Sequence, residues 1–347
     1  MTMKRILFVL LVALPLGWVS CEKDIEFKGE LMAPMLVVNG FLTPDSAVSV
    51  EISESRFMLG GEVVGAPPVV EDATVGLRVN GEWKEQLSHA GNGRYRGTYF
   101  PVSGDRIRVE AKADGFEEVW GETVIPRKPN VVITDSVSAV NTSMGVSYGN
   151  IELWQKNWTA RLQLALKDPA GEENYYFVKG QKFYRLEDGR VLPLFVDLGI
   201  SELLGQIDPD HANFLEEELF GGYSHMVENL FTDRFVDGKE LLFDFSFSEQ
   251  IDQKVYENGV EKEEPKREAE VELRIEFAAM SRGMYQYVVS ASKSNATDGN
   301  ILVEPVPVYS NITNGAGVLE SYVPFRVSFR YKKKYDANSV DPRYPFW

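Results

Sequence analysis

A strict alternation of apolar and polar residues recurs along this chain and constrains its fold more than any other feature. In the stretch 73–79 the apolar residues Val75, Leu77 and Val79 are each separated by one residue. A period of two places every second side chain on the same face of an extended strand, whereas a helix needs a period of 3.6. The alternation therefore predicts half-buried β-strands. The same pattern appears in 105–112, 162–166, 241–247, 270–277 and 323–331.

Seven short strand-like runs lie between residues 35 and 126, and turn signals separate them. The strongest signal is Asn80-Gly81, because both positions of a tight hairpin turn need a positive φ, which asparagine and glycine adopt most readily. Many short strands at this spacing are typical of a β-sandwich. We therefore predict an Ig-like or transthyretin-like β-sandwich domain at 35–126, which ends where Pro126 and Pro129 interrupt the pattern.

The remainder of the chain, 127–347, is predicted to form a second, β-rich domain with two or three short helices. The stretch 208–220 begins with capping residues and two glycines follow it, which predicts a helix there. Ser281 can cap another helix of about three turns. We expect the runs 241–247 and 270–277 to pair as neighbouring strands. The polar stretch between them would then be a long solvated loop.

The first twenty residues predict export rather than a membrane span. Lys4 and Arg5 precede an apolar run at 6–16. This run is too short to cross a bilayer, because a spanning helix needs roughly twenty apolar residues. A short apolar run behind basic residues is typical of a secretory signal peptide, which we assign to 1–20.

Cys21 is the only cysteine of the chain. Together with the preceding Ser20 it resembles a bacterial lipobox, in which the thiol is acylated and becomes the new N-terminus. A single thiol can form no internal disulfide, and lipidation accounts for a solitary cysteine at this position. We therefore expect lipidation at Cys21 and a polar tether at 21–34. The acidic start of this tether, 22–26, resembles the surface-export signal of Bacteroidetes lipoproteins.

The charge balance excludes two classes of partner. The 347 residues include 52 acidic and 36 basic side chains, for a formal net charge of −16, and removal of 1–20 with Lys4 and Arg5 lowers this charge to −18. A strongly acidic protein is repelled by phosphate backbones and by anionic lipid headgroups. We therefore expect no nucleic-acid partner, and we expect the membrane to hold the protein through its lipid rather than through surface charge.

No catalytic or metal-binding motif stands out in the sequence. The histidines His89, His211 and His225 lie too far apart for a helical zinc motif, and neither a nucleophile elbow nor a phosphate loop is present. A cation site at Asp208 and His211 remains an alternative, but a capped acidic surface helix is the simpler interpretation of this stretch. Nothing singles out a carboxylate pair for glycoside hydrolysis. We therefore predict that the protein is not an enzyme, and we assign no catalytic residue, metal ligand or cofactor.

One C-terminal segment carries a family resemblance. The stretch 304–319 contains Pro305, Asn311, Gly315 and Gly317 in the order Pro, four residues, Ser-Asn-Ile, two residues, Gly-x-Gly and an apolar pair. This order resembles the C-terminal signature of the DUF4249 family of Bacteroidetes outer-membrane lipoproteins. Weaker landmarks of the same family lie at 36–40, 70–75, 231–238 and 285–287.

The signature residues are expected to have structural roles. Gly315 and Gly317 lack the lysine and the following helix of a phosphate loop, so we expect them to permit a positive φ where the segment folds over the sheet. Asn311 is expected to hydrogen-bond the backbone of its own loop. The six tryptophans leave a sugar-stacking platform open, although core packing is the simpler interpretation for each.

The resemblance implies a lipid-anchored outer-membrane protein that faces the cell exterior, with no established reaction. Because such proteins are commonly encoded beside TonB-dependent transporters, our first hypothesis is a binding or accessory component of a nutrient uptake system. Its partners would be the outer membrane and a TonB-dependent transporter, and its ligand a glycan or a peptide. The alternative is a structural or adhesive surface protein that assembles by strand addition. A surface hydrolase is a third hypothesis, and it requires a deep pocket lined by paired carboxylates or a metal cluster.

Overall fold

The computed structural model describes residues 33–56, 67–207, 229–297 and 306–337. Among these residues the protein is mainly β, as the alternation predicts, with one sheet of 13 strands and one of four. Several sequence predictions lie outside the described residues. They are the signal peptide at 1–20, the lipobox with Cys21 and most of the tether, the helix at 208–220 with the candidate cation ligands Asp208 and His211, and Pro305.

Seven strands form the N-terminal part of the structure, as predicted. They are β1 (Leu36–Leu42), β2 (Ser49–Glu54), β3 (Thr74–Val79), β4 (Glu82–His89), β5 (Arg94–Arg96), β6 (Arg106–Lys112) and β7 (Val119–Val124). Neighbours run antiparallel in the order β1-β2-β5-β4-β3-β6-β7. The predicted hairpin turn between β3 and β4 is present, with φ of 54° at Asn80 and 86° at Gly81.

The N-terminal strands enclose a core of their own. β4 pairs with β3 through residues 82–87 and with β5 only through Ser88 and His89, so this strand passes from one half of the sheet to the other. Side chains from both halves meet in one cluster that includes Leu36, Ile52, Leu77 and Ile107, all fully buried. Burial of such an aliphatic side chain stabilises a protein by about 1.5–3 kcal/mol. The result is the sandwich-like arrangement that the sequence predicts.

The rest of the chain builds a second two-layer core. Its strands are β8 (Val131–Tyr148), β9 (Ile151–Lys167), β10 (Tyr175–Leu186), β11 (Val191–Val196), β12 (Leu230–Thr232), β13 (Glu240–Glu257), β14 (Val260–Lys262), β15 (Lys266–Met280), β16 (Ile312–Thr313) and β17 (Ala316–Asp336). One layer is the four-stranded sheet, in the order β14-β13-β9-β8. The other layer belongs to the larger sheet and has the order β11-β10-β15-β17.

Aromatic side chains fill the space between these two layers. Phe243 of β13 meets Phe277 of β15 edge-on, with ring centroids 5.4 Å apart. Trp158 of β9 stacks on Tyr331 of β17, with centroids 4.0 Å apart. All four residues are buried. Aromatic pairs of this kind contribute about 0.5–1.5 kcal/mol beyond the area that they bury.

Two expectations about this region are wrong. The runs 241–247 and 270–277 lie in opposite layers, because β13 pairs with β9 and β14 whereas β15 pairs with β10 and β17. Alternation identifies which face of a strand is buried, but it does not identify the strand alongside. The stretch between the two runs is not a long loop either. β13 continues to Glu257, Asn258 and Gly259 turn the chain with φ of 52° and 76°, and β14 and β15 follow.

Strand β17 joins the two parts of the structure. Its first residues, 316–321, pair in parallel with β1, and 322–336 pair antiparallel with β15. The two-residue strand β16 pairs with β7. Residues 312–321 therefore complete the sheet of the N-terminal part, so the strands of that sheet come from two distant segments of the chain.

Two helices are described, α1 (Ser201–Ile207) and α2 (Arg282–Thr297). Neither of these described helices has the length and apolar character that a membrane span requires. Ser281 caps α2 as predicted, because its hydroxyl accepts a hydrogen bond of 3.3 Å from the backbone N–H of Met284. The helix is packed against β10 through Tyr285, whose ring centroid is 5.0 Å from that of Tyr175.

Candidate functional site

The C-terminal signature lies at a junction of β1, β7 and β17. Asn311 donates from Nδ2 to the backbone carbonyl oxygens of Leu319, at 2.8 Å, and Glu122, at 3.1 Å. Its Oδ1 accepts a hydrogen bond of 2.9 Å from the N–H of Leu319. Asn311 thus bonds the backbone of its own segment, as expected, and it also fastens that segment to β7. A side-chain amide offers both donors and an acceptor, and this combination is needed here.

Gly315 and Gly317 lie where β1 approaches most closely. A Cβ atom on Gly317 would be 2.3 Å from the carbonyl oxygen of Val38, and one on Gly315 would be 2.6 Å from that of Leu36. Gly317 has the expected positive φ, at 102°, but Gly315 does not, and the neighbouring Asn314 has a φ of 61°. Glycine at position 315 is therefore required by space rather than by an unusual backbone angle.

Glu320 is buried at the same junction, and no described ion pair involves it. Its Oε2 accepts hydrogen bonds from the hydroxyls of Ser281, at 2.6 Å, and Thr123, at 2.9 Å, while its Oε1 accepts one of 2.9 Å from Asn311. Burial raises the pKa of Glu320, although the bonds from Ser281 and Thr123 act in the opposite direction. Because Ser281 also caps α2, this carboxyl connects α2, β7 and β17. Glu320 was not predicted as a site residue, because no sequence pattern distinguishes this glutamate from the many others.

A second buried cluster surrounds Glu249 of β13, between the two layers of the C-terminal core. Four side chains donate hydrogen bonds to its carboxylate: Lys182 (2.5 Å), Lys333 (2.7 Å), Tyr184 (3.0 Å) and Tyr331. Burial opposes the ionisation of Glu249, but the two ammonium groups outweigh it and lower the pKa of the carboxyl. The carboxylate is therefore held ionised and saturated with donors, and this arrangement joins the two layers rather than leaving a reactive group.

Three aspartates from two turns form a group that can hold a cation. Asp168, Asp233 and Asp237 each offer a carboxylate oxygen, and these oxygens lie within 4.8 Å of one another. Oxygen ligands suit a hard cation such as Ca²⁺. Asp168 and Asp233 are buried, whereas Asp237 is exposed. Burial first, and then the charges of the other two acids, raise the pKa of Asp233.

Hydrogen bonds within the protein already engage each of these carboxylates. The donors, all at 2.7–2.9 Å, are the Tyr176 hydroxyl and the Gly238 N–H for Asp168, the Asn174 N–H for Asp233 and the Gly171 N–H for Asp237. These bonds fasten the turn at 168–171 to the turn at 233–238 and explain the group as a structural one. The aspartate group was not predicted from the sequence, because its members come from turns that are distant in the chain.

The tryptophans divide between the core and the surface. Trp158 is buried, in agreement with core packing. Trp83 is 54% exposed and lies over Gly76 on the outer face of the N-terminal sheet. Trp120 is covered by the guanidinium group of Arg108, which lies 3.8 Å from the ring centroid. Both surface rings therefore already contact their own sheet, and an open pair of rings for sugar stacking is not formed by these two.

A depression of about 610 Å³ lies on the outer face of β10, β15 and β17. Two acids of β15, Glu270 and Glu272, line it together with Phe183 and several cations. Burial opposes the ionisation of Glu272, but hydrogen bonds from Ser328 and Arg274 outweigh it and lower the pKa of the carboxyl. A carboxylate held ionised in this way is a poor general acid.

The surface feature that differs most from its surroundings is β8, an edge strand of 18 residues. It pairs with β9 on one side, and no described strand pairs with its other side. Residues 132–148 are exposed on both faces of the strand. Seven large apolar side chains here are 44–81% exposed: Val132, Ile133, Val137, Val140, Met144, Val146 and Tyr148.

The exposure of β8 follows from the way in which the two layers overlap. β9 lies over β17, because Trp158 stacks on Tyr331. Over 322–336, β17 is the last described strand of its layer. β8 therefore extends past the edge of the opposite layer. Ser138, whose hydroxyl accepts a 2.8 Å hydrogen bond from the indole N–H of Trp158, marks the inward face of this overhang.

Comparison with known proteins agrees with the resemblance seen in the sequence. A family model described as "Domain of unknown function (DUF4249)" matches residues 22–326. No curated protein matches the chain. The matched range covers most of the chain and includes the signature residues Pro305, Asn311, Gly315 and Gly317, whose described members build the junction of β1, β7 and β17. The chain therefore belongs to the DUF4249 family, as the signature predicts.

Proposed function

We propose that this protein is a lipid-anchored component of the bacterial outer membrane that faces the cell exterior and serves a TonB-dependent uptake system as a binding or accessory subunit. The observation that carries the proposal is the position of Cys21 relative to the folded body. The first described strand begins at Leu36. The intervening chain can span at most roughly 50 Å, at about 3.5 Å per residue. An acylated Cys21 would thus keep the body close to a transporter in the same membrane.

The proposal assigns binding rather than catalysis to the body. The buried acids Glu249 and Glu320 already accept hydrogen bonds from other side chains of this protein, such as Lys333 and Ser281. Such groups stabilise the fold and are not available to a substrate. The ligand classes that remain open are a glycan and a peptide, either of which would be passed to the transporter.

Metabolic labelling with a palmitate analogue tests the anchor directly. Wild-type protein is expected to incorporate the label, and Cys21→Ala is expected to lose it. A matched control is Cys21→Ala combined with Tyr148→Cys, which restores a thiol at an exposed position away from the lipobox and should stay unlabelled. Equal labelling of wild type and Cys21→Ala would remove the basis of the proposal.

Affinity purification from native outer membranes, after mild crosslinking, tests the partner. Wild-type protein is expected to retain a TonB-dependent transporter. Cys21→Ala is expected to lose it, because the protein no longer shares the membrane with the transporter. Protease treatment of intact cells would check that the body faces outward. Purification of the anchored protein without any transporter would contradict the accessory role while leaving the anchor intact.

The open edge of β8 favours a second candidate function, that of a structural or adhesive surface protein that assembles by strand addition. It predicts ordered assemblies on the cell surface that electron microscopy would show and that a deletion strain would lack. Unchanged surface structure and adhesion in the deletion strain would count against it.

A further inference from the structure

We propose that β8 is a self-association edge. Two copies of this protein pair their β8 strands antiparallel, and this pairing joins their four-stranded sheets into one continuous sheet. The inference goes beyond the uptake function and requires neither a transporter nor a lipid anchor. It deepens the second candidate function, on whose open β8 edge it rests, because it names a second copy of the chain as the partner.

The edge lacks the lysines, prolines and short length by which many proteins prevent strand pairing, and its two β-bulges leave a regular stretch between them. Unpaired N–H and C=O groups on a long edge strand are a template for another strand, and proteins usually block them with lysine, proline or a very short strand. β8 has 18 residues without lysine, arginine or proline, and Asp135 is its one charged residue. At the other side of the same sheet, β14 has three residues and includes Glu261 and Lys262. Charged residues and a short length thus protect the β14 edge, whereas β8 is long and carries a single charge.

The strand is complementary to itself. Irregularities between Ile133 and Asp135 and between Met144 and Val146 bound a regular stretch, 135–144. A two-fold axis normal to the sheet places residues at equal distances from it opposite each other and on the same face. Val140, near the middle of this stretch, would then face Val140 of the second copy. The other facing pairs are Ala139 with Asn141, Ser138 with Thr142, Val137 with Ser143 and Ser136 with Met144.

This register brings no like charges together. The two copies of Asp135 lie at opposite ends of the paired stretch, roughly 30 Å apart at 3.3 Å per residue. The protein as a whole has a net charge of −16, but β8 carries only one charged residue among its 18. A second copy can therefore approach this strand with little electrostatic repulsion.

The size of the edge suits a dimer. A standard protein interface uses about 20–30 residues from each partner. The regular stretch 135–144 supplies ten residues from each copy, and the flanking residues of the 18-residue strand extend the contact toward this size. Pairing also places apolar side chains of the inward face, such as Val140, beside those of the second copy. Apolar cross-strand neighbours favour the pairing as well as the backbone bonds.

The test uses the full chain, in mild detergent, with Cys21→Ala as the background. Sedimentation over a range of concentrations is expected to show a reversible dimer. Val140→Lys places two ammonium groups opposite each other and is expected to weaken the association at least tenfold. Val260→Lys on β14 is the matched control, because Val260 is also exposed and lies at the other edge of the same sheet. It should leave the association unchanged.

Charge reversal fixes the register. Val140→Glu alone is expected to be as monomeric as Val140→Lys, and an equimolar mixture of the two variants is expected to form a one-to-one dimer. Circular dichroism checks that each variant is folded. Should either not fold, Thr142→Lys mixed with Ser138→Glu replaces them, because those two positions face each other in the same register.

Several results would overturn the inference. One is a wild-type protein that stays monomeric at every concentration. Another is a dimer that Val140→Lys does not weaken, or that the mixed variants do not restore. Slow hydrogen exchange, in a monomer, of those β8 amides that point away from β9 would show that another segment of this chain covers the edge. Because purified protein contains neither lipid anchor nor transporter, none of these results bears on the proposed uptake function.

Discussion

Asn311 and Glu320 are joined by a hydrogen bond of 2.9 Å from the side-chain amide to the carboxyl oxygen Oε1. This bond links the signature loop to β17, the strand shared by both parts of the protein. The same carboxyl accepts bonds from Ser281 and Thr123. An acid that is buried among neutral donors makes the stability of this junction depend on pH.

The first prediction concerns Glu320→Gln. Burial raises the pKa of Glu320, so the folded protein binds this proton more tightly than the unfolded chain. Above the pKa of the folded state, ionisation of this carboxyl therefore lowers the free energy of unfolding. This penalty disappears as the pH falls below the pKa of the unfolded chain, which is about 4.3. The free energy of unfolding of Glu320→Gln, relative to that of wild type, should be greatest near neutral pH and should decrease as the pH falls toward 4.

Urea unfolding at several pH values measures this difference. Glu118→Gln, at an exposed position just before β7, serves as the control and should not follow this trend. A free-energy difference between wild type and Glu320→Gln that is constant over the pH range would contradict the account of the junction.

The second prediction concerns Gly317→Ala. The new Cβ would lie 2.3 Å from the carbonyl oxygen of Val38, at a φ of 102°. Strain and the loss of close pairing with β1 should together cost about 2–4 kcal/mol of unfolding free energy. Gly149→Ala is the matched control: its φ of 61° is also positive, but nothing lies within 4 Å of its Cβ position. It should cost about 1 kcal/mol. An equal loss of unfolding free energy in the two variants would show that the close approach of the Val38 carbonyl oxygen has no effect at position 317.

The third prediction concerns Glu249→Ala. Removing the carboxylate leaves the ammonium groups of Lys182 and Lys333 without their partner between the layers. Loss of one member of a buried ion pair typically costs about 3–5 kcal/mol. Thermal and urea unfolding would measure this loss. Glu268→Ala, which breaks an exposed pair with Lys332 on the same layer, should cost less than about 1 kcal/mol. A small effect of Glu249→Ala would mean that the cluster is solvated.

The sequence predicted those strands whose two faces have different environments. β3, β15 and β17 alternate because one face is buried and the other is solvated, as with Leu273 and Glu272. Asn80-Gly81 located its turn because the backbone angles there admit few residue types. These signals are local, so they are present in the residues themselves.

The relationships that the sequence did not supply are all non-local. β8 was not predicted as a strand, because neither of its faces is buried and its residues show no alternation. The partners of β13 depend on which layers overlap, which one strand does not encode. Gly315 is required by the carbonyl oxygen of Leu36 from the far end of the chain. The aspartate group likewise exists only once two distant turns are brought together.

The last prediction concerns the group formed by Asp168, Asp233 and Asp237. Burial and the two neighbouring charges raise the pKa of Asp233, so its ionisation costs stability above the folded pKa, and this cost vanishes below the unfolded value of about 3.9. Asp233→Asn removes the charge, and its Oδ1 can still accept the bond from Asn174. We expect the variant to be at least as stable as wild type near pH 8 and to lose that advantage as the pH falls toward 4.

Calcium distinguishes a structural group of aspartates from a cation site. If hydrogen bonds alone account for the group, millimolar Ca²⁺ and a chelator should leave the Tm of wild type equal, and Asp233→Asn should respond in the same way. A cation that binds only the folded protein raises its stability with concentration. The alternative outcome is a rise in Tm with Ca²⁺ that Asp233→Asn abolishes and that the exposed variant Asp114→Asn retains. This outcome would locate the bound cation at these three carboxylates, and it would replace the structural interpretation with a calcium site.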